Sequence, residues 1–198
     1  MYDDEEVWNN IHYSDMWVLD KLILSKALGY NCGPVGADVK NPGYYIVRPV
    51  VNAFGLGLGA SYEYIEKSTD HLTIGYFWCE FFEGRHLSID YYNGEPILSV
   101  EGIKEDKLDF VKWKKWVKTN DVLPLPNLLK IFVNKYDYIN CEFIGKKLIE
   151  VHFRRNPDFK DLSISEFIPV WEDYDKIPEG YRFLPLKELN GRIGAFVK

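Results

Sequence analysis

The chain has 198 residues, 46% apolar and 16% aromatic, enough for one domain or one compact pair of lobes. Its net charge of −6 excludes a broad non-specific nucleic-acid surface, which needs a basic excess, but not a local basic pocket. Cys32, Cys79 and Cys141 are odd in number and scattered without a CxxC pair, so neither a disulfide framework nor a zinc site is indicated. Reduced thiols and a cytoplasmic setting are expected. The acidic start, Met1 to Glu6, is unlike a signal or transit peptide. No apolar run approaches the roughly 20 residues of a membrane span, so no membrane partner is expected.

Ser14 to Leu28 reads as a helix. Ser14 and Asp15 are caps, Met16, Leu19, Ile23 and Ala27 form an apolar stripe, and Gly29 ends it. Lys21 and Lys26 lie off that stripe. Turn-rich connections follow, then a strand, Tyr44 to Val47, closed by the cation Arg48. The stretch Pro49 to Ala60 places Gly55, Gly57 and Gly59 at alternate positions. Glycine permits positive φ and close backbone approach, and successive N–H groups in such a loop cradle phosphate oxygens. A flexible hairpin in a tyrosine-rich β protein reads equally well from the loop alone.

Tyr62–Ile65 is a return strand, and Leu72 to Phe82 is a long β-rich run that Gly84 breaks. His86–Tyr92 and Pro96–Val100 flank Asn93-Gly94, a strong hairpin signal. Lys112 to Lys118 mixes Trp and Lys and is expected as an amphipathic surface element, not a base-stacking platform. Leu125 to Tyr136 has the clearest helical period, through Leu125, Leu128, Leu129, Phe132, Val133 and Tyr136. Strands Tyr138–Ile144 and Leu148–Arg154 follow, then one at Phe167–Val170. The last dozen residues carry no assignable pattern. Strands mixed with a few helices and several hairpins predict an α+β fold with mainly antiparallel pairing.

Alternation puts Leu148, Glu150, His152 and Arg154 on one face of their strand, and Tyr138, Asn140, Glu142 and Ile144 on one face of the preceding strand. A two-residue turn at Gly145-Lys146 would pair Cys141 with Glu150 and mix polar with apolar. A three-residue turn, Gly145 to Lys147, pairs Ile144 with Leu148, Glu142 with Glu150 and Asn140 with His152, and the buried face favours it. Two carboxylates then stand opposite each other, Cβ atoms roughly 5 Å apart. Their repulsion is offset by a hard cation such as Mg²⁺, by Arg154 and nearby lysines, or by solvent on an ordinary polar face.

In chain order these pieces resemble the ATP-grasp superfamily, most of all its biotin carboxylase and carbamoyl phosphate synthetase group. Asp20-Lys21 through Ala27 to Gly29 is similar to the family's lysine helix. Tyr45-Ile46-Val47-Arg48-Pro49 is similar to the strand whose lysine contacts the ATP phosphates, with the glycine loop in the family's place. Trp78 to Asp90, containing Glu80, Phe82, Glu83, Arg85 and His86, is similar to the adenine and ribose segment. Cys141-Glu142-Phe143-Ile144 and Leu148 to Arg154 are similar to the metal-binding strands. The resemblance covers about residues 14 to 160. Arg48 stands where the family has lysine, and His152 where it has asparagine.

The resemblance implies two small α+β lobes with mainly antiparallel sheets sandwiching a nucleotide site, in one domain spanning 1–198. The small lobe is expected over about 30–92, the larger over about 93–198 plus the helix 14–28. It implies ATP and Mg²⁺ as cofactors. Lys21 and Arg48 would hold phosphates, Gly55, Gly57 and Gly59 would cover them, and Glu80, Phe82, Glu83 and His86 would hold adenine and ribose. Glu142, Glu150 and His152 would carry the metal, and Arg154 would face an acyl phosphate. The implied reaction joins a carboxylate substrate to an amine. Only about thirteen residues precede the lysine helix, where the family usually has an α/β domain, so a reduced unit is implied, completed by a protein partner or protein substrate. A nucleotide- or protein-binding relic without turnover, and an interaction protein with an aromatic surface, remain alternative readings.

Overall fold

The computed structural model describes residues 4–51, 57–106, 108–172, 174, 176–186 and 191–198. Over these residues the chain forms α1 (Asp4–Asn10), α2 (Lys21–Ala27), β1 (Cys32–Pro34), β2 (Gly43–Pro49), β3 (Ser61–Ile65) and β4 (Tyr76–Glu80). There follow β5 (His86–Tyr92), β6 (Glu95–Ile103), β7 (Lys115–Lys118), β8 (Tyr138–Ile144), β9 (Lys147–His152), β10 (Glu166–Val170), β11 (Arg182–Pro185) and β12 (Gly194–Val197). Two antiparallel sheets result, a four-stranded one in the order β1-β4-β2-β3 and an eight-stranded one in the order β11-β12-β10-β7-β6-β5-β8-β9. The α+β reading with antiparallel pairing is what the chain adopts.

The chain passes from the small sheet to the large one between Glu80 and His86, so β5, expected in the small lobe, pairs with β6 and β8 of the large sheet. Asn93 and Gly94 both take positive φ, 50° and 83°, the pair of conformations a type I′ hairpin demands. Alternation along β5 sends Leu87, Ile89 and Tyr91 into one core with Val18, Leu24, Phe132 and Phe153. A second cluster, with Leu98, Val100, Trp113, Trp116 and Phe167, lies on the other face. A third, around Tyr45, Val47, Ile65 and Trp78, packs the small sheet.

Several elements differ from their sequence readings. The segment 14–28 is not one helix: a 3₁₀ turn, Tyr13–Leu19, stops at Asp20, whose backbone is extended. The Asp20 carboxylate accepts from the Ile23 amide at 2.8 Å and caps α2. That break rotates α2, burying Lys21, Leu24 and Ser25 and leaving Ile23 exposed. Leu125 to Tyr136 presents the expected apolar face, yet only Asn127–Phe132 is helical, as 3₁₀. Its N-cap is Pro126, which supplies no side-chain cap. The run from Leu72 is broken by turns that Thr69 and Thr73 close, so the strand begins only at Tyr76. Lys112–Lys118 is not a surface element: Trp113 and Trp116 are buried, and β7 is an interior strand between β6 and β10. Among the described residues no helix is long and apolar enough to cross a membrane.

Candidate functional site

A cavity of ≈1290 Å³ lies between the sheets, walled by β2 and β4 on one side and by β5, β6, β8 and β9 on the other. The β8–β9 hairpin supplies its acidic floor. Glu142 is opposite Glu150 and Asn140 opposite His152, as the sequence predicts, but by another route. Ile144 pairs with Lys147 across a two-residue turn, and a bulge after Glu142 absorbs the extra residue. The bulge exchanges two side chains: Leu148 enters the core, while Ile149, expected on the apolar face, lines the cavity. The crossover from the small sheet rests on this hairpin through Gly84, where a Cβ would stand 2.7 Å from Gly145 Cα. The Gly145 amide donates to the Arg85 carbonyl at 2.8 Å.

Two cations from elsewhere in the chain reach this floor. Lys21 Nζ lies 3.4 Å from Glu150 Oε2, with side-chain exposures of 5% and 12%. The Lys21 amide also donates to the Val50 carbonyl at 2.9 Å, which ties the helix start to the end of β2. Arg48 projects from β2, donating from Nη2 to the Ile149 carbonyl at 3.1 Å, with its guanidinium 5.3 Å from the Phe77 ring centroid. Arg48 Nε is buried without a hydrogen-bond acceptor among the described residues.

Two histidines flank the carboxylates. His86 Nε2 is 3.1 Å from Glu142 Oε2, and His152 Nε2 is 3.3 Å from Glu150 Oε1. Desolvation acts most strongly on Glu150 and would raise its pKa; Lys21, His152 and Arg48 outweigh it and hold the carboxyl well below its usual range. Glu142 follows the same pattern: desolvation opposes ionisation, and His86 is the leading counterweight that leaves the pKa lowered. Burial pulls the Lys21 pKa down, against the attraction of Glu150. The two partners' shifts therefore pull in different senses. The carboxylate's shift governs the pair, because a cation at 3.4 Å with Arg48 also near favours the charged form.

The remaining expected residues divide. Phe82, Glu83, Arg154 and Gly57 line the cavity with the groups above. Gly59, at φ 80°, packs beneath the Tyr76 hydroxyl instead. Glu80 is not on the cavity wall: its carboxylate accepts from the Asn31 amide at 3.0 Å and pins β1 to the end of β4. Gly55 lies outside the described residues. His152 stands with Nε2 beside the Glu150 carboxylate. Among the described residues no group of three or more His, Cys, Asp and Glu side chains is gathered as a metal site. Glu142 and Glu150 still match the donor set Mg²⁺ uses with nucleotides, one or two carboxylates completed by phosphate oxygens.

Sequence reasoning missed a buried polar network beside the floor. Asp90 Oδ1 accepts from the Asn140 amide group and from the Asn156 backbone, both at 2.8 Å. Ser88 Oγ accepts from Asn140 and Asn156. The alternation that put His86, Ser88 and Asp90 on one face was the available signal. Arg192, buried and held on both oxygens of Asp158 at 3.0 and 2.7 Å, carried none. Lys104, Trp113 and Trp116 on the cavity wall were also missed.

The chain matches no protein-family model and no curated protein. A crystal structure of an ATP-grasp superfamily protein from Archaeoglobus fulgidus is similar over 91% of this chain and 64% of that one, at TM-score 0.50 and 15% identity. The fold is ATP-grasp-like. A second ATP-grasp structure, the ligase PsnB complexed with a minimal precursor, is similar over 74% of this chain and 54% of that one, at TM-score 0.42 and 13% identity. The chain thus spans less than two thirds of either structure's length.

Proposed function

We propose that the cleft binds ATP with Mg²⁺ and that the protein is a carboxylate–amine ligase acting through an acyl phosphate. The observation that supports this is the meeting of Lys21 and Arg48, from α2 and β2, with the carboxylates of the β8–β9 hairpin across a cavity large enough for a nucleotide.

In this reading Lys21 and Arg48 hold the phosphates, and the backbone at Gly57 covers them. Phe82 and Glu83 on the crossover take the adenine end, and His86 orients Glu142. Glu142 and Glu150 would hold Mg²⁺, which when bound neutralises phosphate charge. Arg154 steers the substrate carboxylate. A carboxylate oxygen attacks the γ-phosphorus, the bond to the β-phosphate bridging oxygen breaks, and ADP leaves. The amine nitrogen then attacks the acyl carbon, phosphate departs with the bonding pair, and the amine gives up a proton. The protein contributes position and charge rather than covalent chemistry.

One observation favours a second reading, nucleotide binding without turnover. Lys21 and Arg48 already have contacts to Glu150 and to the Ile149 carbonyl in the absence of any ligand. Calorimetric titration with ATP at millimolar Mg²⁺, followed by ADP assays across varied acids and amines, tests both. Saturable binding with acid- and amine-dependent ADP release supports the ligase. Binding with no ADP under any pairing supports the second reading, and no binding overturns both.

A further inference from the structure

Two of the three cysteines face each other across the small sheet. Strand β1 pairs with β4 so that Cys32 stands opposite Cys79, and both thiols are free. The Glu80 amide donates to the Asn31 carbonyl at 2.9 Å, which makes Asn31 and Glu80 a hydrogen-bonded pair. Cys32 and Cys79, next along the ladder, are therefore a non-hydrogen-bonded pair, the kind whose Cα atoms approach to roughly 4.5 Å and whose side chains lie closer. A disulfide needs Cα atoms roughly 4.4–6.8 Å apart.

Side chains opposite each other share a face of the sheet. Cys79 and Ile46, its neighbour across β2, line the cavity, so Cys32 lies on the face of the small sheet that the cavity uses. Cys32 is half-buried, whereas Cys79 is buried against Ser25 of α2. Cys141 is buried in β8, in a core of the other sheet with Ile89 and Phe143.

We propose that Cys32 and Cys79 form a thiol–disulfide couple in the wall of the cavity, oxidised by a low-molecular-weight disulfide. This inference stands apart from the nucleotide reading. The Cys32 thiolate, the more exposed of the two, attacks one sulfur of the incoming disulfide and expels one thiolate. The Cys79 thiolate then attacks the Cys32 sulfur, closes the bridge and expels the second thiolate. The two thiol protons pass to the released thiolates, and the small disulfide gains the two electrons that the protein loses. Burial raises the Cys32 thiol, with Glu80 and against Lys26 and Arg48. It pushes Cys79 up to about 12, with Cys32 and Glu80 and against Arg48. Exchange is therefore slow near neutral pH, and Cys79 meets the sulfur beside it rather than a reagent from solution. A Cα separation of roughly 4.5 Å is at the short end of the disulfide range, and a bridge off its preferred geometry is the more readily reduced. Once closed, the bridge ties the edge strand β1 to β4 and encloses β2, with Arg48, in the loop it makes.

The test incubates the folded protein with oxidised glutathione at about pH 8.5, the ordinary thiol pKa. The protein is then quenched in acid, denatured, alkylated and mapped by mass spectrometry. The expected result is a fall from three alkylatable thiols to one, with Cys32 linked to Cys79 and all three thiols restored by dithiothreitol. Cys79→Ser is expected to accumulate a glutathione adduct on Cys32, and Cys32→Ser to form neither bridge nor adduct. Thermal melts establish that each variant is folded, and the wild-type map decides the question even where a variant is not. Wild type that keeps its three thiols under oxidant that fully oxidises dithiothreitol overturns the proposal. So does glutathione held on Cys32 without bridging, or a Cys32–Cys79 link that forms only in denaturant.

Discussion

Lys21 Nζ stands 3.4 Å from Glu150 Oε2, and the two side chains are only 5% and 12% exposed. Glu150 in turn lies opposite Glu142 across the β8–β9 hairpin. The cation thus compensates one member of a buried like-charge pair, and it does so from the first turn of a helix capped by Asp20.

Removing that cation is costly. Lys21→Met leaves Glu150 buried without the lysine ammonium, and breaking such a pair from one side costs roughly 3–5 kcal/mol. Urea denaturation is expected to show a loss on this scale, and the Lys21→Met/Glu150→Gln double variant should lose less than the sum of the two single changes. A loss below about 1 kcal/mol for Lys21→Met would mean that the pair is not held as described.

The same carboxylates set a pH dependence. Folding lowers the pKa of Glu142 and lowers that of Glu150 well below its usual range. A depressed folded pKa contributes stability that is fully present above the unfolded value, about 4.3, and is lost as pH falls through the folded value. Denaturation midpoints are expected to decline from about pH 5 downward, with a shallower decline in Glu150→Gln. Equal slopes in the two proteins would contradict the assignment.

Gly102 has no room for a side chain under Trp113 and Trp116. Gly102→Ala is expected to destabilise by about 1–3 kcal/mol, the usual cost of overpacking. It should also change tryptophan emission, because both indoles must shift. Unchanged stability and spectrum would show that the aromatic wall yields freely.

Cys79 and Cys141 are expected to be inert to added alkylating agents. Burial pushes the Cys79 thiol up to about 12 and raises Cys141 well above its ordinary value. The thiolate is the reactive species, so alkylation of the folded protein at pH 8 should be slow and should speed up on unfolding. Rapid labelling of Cys79 in the native state would contradict its placement in β4.

Legibility in the sequence followed the range of the interactions involved. The Asn93-Gly94 hairpin and the Glu142–Glu150 pairing were readable because turn chemistry and two-residue alternation are local. The bulge at Ile149 was not, because the sequence alone does not distinguish a three-residue turn from a two-residue turn plus one bulged residue. The inward rotation of Lys21 depends on Asp20 being a cap rather than an interior residue, and tertiary packing decides that. Glu80 was placed by its motif at the nucleotide, yet its carboxylate is committed to the Asn31 amide, a contact with no sequence signal. Lys112–Lys118 read as amphipathic surface because β10, the strand that covers its second edge, lies far along the chain.

In the proposed ligase the phosphates of ATP lie between Gly57 and the β8–β9 hairpin. The most direct measurement is a crystal structure with a non-hydrolysable ATP analogue and Mg²⁺. Triphosphate density within hydrogen-bonding reach of Lys21 and Arg48, joined through a metal to Glu142 and Glu150, is the predicted result. A cleft without analogue density at saturating concentration, or analogue bound elsewhere with the Lys21–Glu150 pair undisturbed, would contradict it.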